Sequence, residues 1–225
     1  MEGTRRTSIA GLITIPALIT LGITILRLVG ELEHWPTPWF SEAAGGGLAI
    51  VGISWLPIIF GPYFAVKLAG AGEGPSSVGK AIGLAFAGLV VVVLGGVIAG
   101  IAATKQHASL AVVGFLVIFV AGFIARVGWH SLGNVLFAYA FAARIPVLIV
   151  MFIAMNANGG QGWGTHYDVV PPNFPYHTFA TKFFYIALAP QMTLWIGFTV
   201  VVGSIFGAIA AAIAGRGKPA VAPAA

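Results

Sequence analysis

Arg144 is the residue whose type and position could do the most chemistry. It stands near the middle of an apolar run, residues 132–155. A guanidinium stays charged at physiological pH, and at the centre of a membrane helix it costs about 2.5–3.5 kcal/mol on insertion scales. No Asp or Glu lies within any of the long apolar runs. The expected partner is therefore a backbone carbonyl freed by Pro57 or Pro146, a water-filled cavity, or an anion. The functional reading is contact with an anionic solute. The structural alternative is an arginine satisfied by carbonyls or snorkelling to an interface. Tyr139 and Gln191 are expected to line a polar path with Arg144. Each could equally make a plain interhelical hydrogen bond, worth about 0.6 kcal/mol on average.

A second set of residues has metal-ligand chemistry. His166, Asp168, His177 and His34 fall in two polar, aromatic segments, 31–40 and 156–177, which also hold Glu31 and Glu33. Imidazole and carboxylate together hold zinc or another divalent ion. The spacing matches neither His-Glu-x-x-His nor Glu-x-x-His, so solvated loop residues are the competing reading. No cofactor is otherwise expected.

Other polar residues have simpler accounts. Arg27 precedes Glu31 by one helical turn, a spacing that predicts an ion pair. His130 follows Trp129 at a run boundary. Trp35, Trp39, Trp163, Tyr176, Phe183, Phe184 and Tyr185 suit an aromatic belt at the headgroup level. Gly159, Gly160 and Gly162 lack the Lys-Ser/Thr of a phosphate-binding loop and read as flexibility. There is no Gly-x-Ser-x-Gly. Cysteine is absent, which excludes disulfides, thiolate metal sites and a thiol nucleophile.

These residues must be positioned by membrane helices. Of 225 residues, 59% are hydrophobic and 8% charged, against roughly 25% charged in soluble domains. Too few charges remain to face water. Crossing ~30 Å of hydrocarbon takes about 20 apolar residues. Six spans are predicted: 8–30, 46–70, 81–103, 108–129, 132–155 and 191–214. Pro190 should separate the last from a short interfacial helix over 179–189, capped by Thr178. Residues 71–79 read as a flexible linker. Residues 1–7 form an N-terminal tail, with Arg5 and Arg6 ahead of a first run that reads as a retained helix. Residues 216–225 form an Ala/Pro-rich tail expected to be disordered.

With the N-terminus cytoplasmic, the cytoplasmic side holds Arg5, Arg6, Lys67, Lys80, Arg126, Arg216 and Lys218, and the other side Lys105 and Lys182. That split obeys the positive-inside rule in a plasma (inner) membrane with both termini cytoplasmic. It also accounts for the net charge of +5 without nucleic acid.

Spans one to three share features with spans four to six. Each set has a second member with an internal proline, Pro57 and Pro146, and a third with Gly-x-x-x-Gly, Gly96/Gly100 and Gly203/Gly207. A 3+3 inverted repeat is one reading; chance matches in a small alphabet are the other.

The expected architecture is an all-α, polytopic six-helix bundle with Pro-kinked helices. The expected function is a small transporter or channel for an anionic or polar solute, with Arg144 on its path. A non-catalytic membrane-complex subunit or scaffold, self-associating or bound to a partner subunit, is the alternative. A membrane enzyme with an external His/Asp metal or acid–base site is the third.

Overall fold

The computed structural model describes residues 7–47, 49–172, 174–175 and 177–215. Arg5, Arg6, Tyr176 and the tail 216–225, with the expectations attached to them, lie outside these residues. Among the described residues, regular structure is entirely helical.

α1 spans Ile9–Leu32 and is capped by Ser8, whose Oγ accepts from the Gly11 N–H at 3.3 Å. Its threonines would be stranded donors in an apolar helix. Thr14, Thr20 and Thr24 each donate instead to the carbonyl four residues back. α2 is Pro57–Gly70, with its proline in the first turn, where a missing N–H costs nothing. α3, Val78–Thr104, is capped by Ser77. α4 is Ala108–Gly128 and α5 is His130–Gly160; the last turn of α5 leaves helical geometry at Ala157, Asn158 and Gly159. α6 runs Phe179–Gly215, with Thr178 as its cap.

Five helices are long and apolar enough to cross a membrane, not the six expected: α1, α3, α4, α5 and α6. The missing one is the predicted second span. Its 14 helical residues reach only about 21 Å at ~1.5 Å per residue. Residue 47 and residues 49–56 carry no helix, and Gly45, Gly46 and Gly47 take φ of +75°, +85° and +55°, which turns the chain out of a right-handed spiral. α2 nonetheless returns the chain to the end where α1 starts. The Thr7 N–H donates to Glu73 Oε1 at 2.7 Å, and Trp129 Nε1 donates to the Glu73 carbonyl at 2.8 Å. The 71–77 segment, expected to be flexible, is thus held from two sides.

Pro190 does not divide the last helix. A continuous 37-residue helix passes through it. The chain widens into π-helical turns at Phe183–Leu188 and Pro190–Leu194. A wider turn makes room for a ring that would clash in a regular α-helix. The separate interfacial helix and the 191–214 span are therefore one element.

α6 is the central helix: 67% of its membrane window is buried, against 39% in α5 and 22% in α1 and α3. α2, α3, α4 and α5 pack around it, and α1 lies against α5. Glycines set the closest approaches. A Cβ on Gly61 would lie 2.3 Å from the Gly203 carbonyl oxygen, so α2 and α6 touch backbone to backbone. On α3 the contact glycines are Gly95, against the Gly114 carbonyl, and Gly88, against the Ala121 carbonyl, while Cβ atoms on Gly96 and Gly100 would meet nothing within 4 Å. The helices matched by the repeat, α2 and α5, have 14 and 31 residues. Outside, Ile15, Leu18, Val90, Val93, Val120, Ile149 and Ile213 stay exposed. Such a continuous apolar exterior suits lipid and would be a liability in water.

Candidate functional site

A cavity of about 330 Å³ enters the bundle at the end away from Glu73. Its mouth is formed by exposed loop residues Gly45, Gln106, Pro171 and Pro172. Deeper, its wall is built from α1, the irregular Gly52, Ile53 and Ser54, α5 and the π-helical part of α6. Irregular backbone inside a membrane protein survives only where it lines a cavity or is covered by protein. The segment before α2 meets that condition.

Arg144 stands in this wall, with only 4% of its surface exposed. Val147 and Met151 follow it at helical spacing and line the same cavity. No salt bridge answers its charge among the described residues. Nη1 donates to Gln191 Oε1 at a long 3.4 Å. The guanidinium carbon sits 4.6 Å from the centre of the Trp195 ring, and the ring's negative face offsets part of the lost hydration. Nε is buried without a hydrogen-bond partner.

Gln191 joins Arg144 as expected. Its Nε2 reaches only Met151 Sδ, at 3.6 Å, and a thioether is a weak acceptor. Tyr139 does not line the cavity. Five residues along an α-helix turn it about 140° from the Arg144 face. Its hydroxyl hydrogen-bonds Thr20 Oγ1 at 2.8 Å, and its ring packs on Phe60 and Phe64. With Leu132 and Leu136 these rings form the main core, on the side of Arg144 away from the mouth.

Near the mouth lies a second charged cluster. Glu31 belongs to the last turn of α1 and is 1% exposed; the helix, which outruns the apolar stretch 8–30, therefore does contain a carboxylate. Arg27 Nε pairs with Glu31 Oε1 at 2.8 Å, as the spacing predicts. Arg27 Nη2 also donates to the Gly46 carbonyl at 2.7 Å, which ties the glycine turn to α1. Glu31 Oε2 accepts from the His166 N–H at 2.9 Å and meets His166 Nδ1 at 2.7 Å. A neutral imidazole carrying its proton on Nδ1 satisfies that contact. Burial is the largest influence on His166 and sets its pKa below the ordinary 6.5, outweighing the hydrogen bond to Glu31 that acts the other way. The neighbouring Tyr167 is buried, with its hydroxyl donating to the Thr24 carbonyl at 3.2 Å.

The residues considered for a metal go to separate tasks. Among the described residues no three His, Asp or Glu side chains group as metal ligands. His34 meets Glu42 at 2.6 Å. Asp168 closes its own loop, accepting from the Gly164 and Thr165 N–H groups at 2.9 and 3.0 Å. His177 lies exposed on the approach to α6. The glycine run is not slack. Gly162, at φ +85°, lies where a Cβ would collide with the Asp168 carboxylate, and its carbonyl accepts from Asn158 Nδ2 at 2.8 Å.

The sequence reading missed Trp195, Met151, Tyr167 and the cavity role of Arg27. Trp195 lies one turn beyond Gln191, so helical spacing from Gln191 was the available signal. Tyr167 comes from a loop whose path no periodicity marks. Compared with known proteins, the chain matches no family model, no curated relative and no solved structure.

Proposed function

We propose that this chain is a small membrane transporter or channel for an anionic or polar solute, which enters the cavity and contacts Arg144. One observation carries the reading. A guanidinium almost fully withdrawn from solvent lines a cavity that, among the described residues, has no carboxylate in its wall, and among those residues its Nε has no partner. Leaving a buried charged donor unsatisfied is costly, and an anion answers both the charge and the donor. Two features of the wall support passage as well as binding. Irregular backbone leading into a short helix, here Gly52, Ile53 and Ser54 ahead of α2, and π-helical turns, here in α6, suit a solute site in a membrane protein.

The chain is taken to lie in a plasma (inner) membrane with both ends cytoplasmic. The cavity mouth then faces outward. The basic residues at the Glu73 end, Lys67, Lys80 and Arg126, support that orientation.

The test is flux into proteoliposomes from a panel of radiolabelled anions. Arg144→Ala should lower the uptake of a transported anion by about tenfold to a hundredfold, the scale of a lost charge-assisted hydrogen bond. Uptake of no anion by the wild type, with the same behaviour in the variant, sinks the proposal.

A further inference from the structure

The free valences of the cavity specify more than negative charge. Among the described residues two arginines line it, Arg27 and Arg144, with His166, held by Glu31, near the mouth. The Arg27 charge is met by Glu31 at 2.8 Å, so one positive charge is left over. A single surplus charge matches a monoanion. A phosphate dianion would leave a negative charge stranded in a low-dielectric wall.

The donors are also few and placed together. The Arg144 guanidinium has no carboxylate partner among the described residues, and its Nη1 makes only the 3.4 Å contact to Gln191 Oε1. Gln191 offers Nε2, held only by the Met151 sulfur at 3.6 Å. The edge of a guanidinium with two adjacent N–H groups fits the two oxygens of a planar carboxylate. Gln191 lies within reach of the same group.

Much of the wall is apolar: Ile53, Val147, Met151, Ile186 and Trp195 line it, beside the hydroxyl-bearing Thr24, Ser54 and Tyr167. A strongly hydrated small ion gives up its water there and receives little in return. A ligand with an apolar body gains by covering that surface. The cavity volume, about 330 Å³, falls at the lower end of small-molecule sites, which run from about 300 to 1,000 Å³. That is far more room than a halide fills.

Resting on the anion reading above, we infer that the ligand is a compact organic monocarboxylate. Its carboxylate lies against the Arg144 guanidinium and Gln191 Nε2, and its aromatic or aliphatic body lies against Trp195, Val147, Met151 and Ile186.

Benzoate is the probe, with benzamide as its neutral isostere and chloride and inorganic phosphate as competing classes. The readout is thermal stabilisation of the full chain in lipid nanodiscs, titrated to saturation. Benzoate should stabilise the wild type saturably, while benzamide, chloride and phosphate at equal concentration should not. Arg144→Gln should weaken benzoate at least tenfold. Val147→Phe keeps the guanidinium and fills the apolar part, so it should also weaken benzoate and guards against misfolding of the arginine variant. Arg144-dependent stabilisation by chloride or phosphate and none by benzoate would overturn the carboxylate assignment and leave the anion reading standing. Benzoate binding that survives both substitutions would overturn the assignment of the site. Stabilisation by none of these anions, together with no anion flux, would remove both readings.

Discussion

At the scale of single residues, a charged side chain in an apolar run pointed to a cavity wall, and its immediate company was only half readable. Arg144 and Gln191 were legible because lipid tolerates neither without a reason. Arg27 and Glu31 were legible because four residues is one turn. Tyr139 was misplaced because polarity alone says nothing about which face of a helix a residue takes. The clustering of His166 on Glu31 joins positions 135 residues apart, a separation no local spacing encodes. His166 has a measurable consequence. Its folded pKa lies below the ordinary 6.5, so the unfolded chain takes up this proton at higher pH than the folded one. The stability it contributes is complete above about pH 6.5 and is lost as pH falls below that value. Thermal denaturation in mild detergent should therefore show stability rising between about pH 5 and 7. His166→Gln should flatten that slope.

At the scale of elements, apolar run length located the long helices to within a few residues and failed where glycine and proline act. The run 46–70 has the composition of a span, but three successive left-handed glycines at 45–47 keep its first half out of a helix. Pro190 looked like a break because a proline ring clashes in an α-helix, and the π-helical turns around it relieve that clash. The Gly-x-x-x-Gly pattern on α3 was off by one position, since the pattern identifies small residues and not the face that meets a neighbour. The contrast can be tested. Gly61→Ala drives a methyl group into the Gly203 backbone and should cost about 1–3 kcal/mol, the usual penalty of overpacking. Gly96→Ala points into open space and should be neutral or stabilising by up to ~1 kcal/mol through a stiffer unfolded chain. Parallel melting curves of the two variants check both.

At the scale of the whole molecule, the class of protein was readable from charge scarcity alone, and the exposed aliphatic surface agrees with it. The path through the molecule was not readable, because it depends on how far the packing extends behind Arg144. There Tyr139, Phe60, Phe64, Leu132 and Leu136 interlock with almost no exposed surface. A vestibule that stops at such a wall is a berth rather than a conduit. On the proposed transport reading, net movement of a solute requires the wall to part, and turnover is then governed by helix rearrangement instead of by diffusion. Flux should accordingly saturate with concentration, and planar-bilayer recordings should show no unitary currents. Tyr139→Ala, by hollowing the barricade, is the change that would turn a turnstile into a leak.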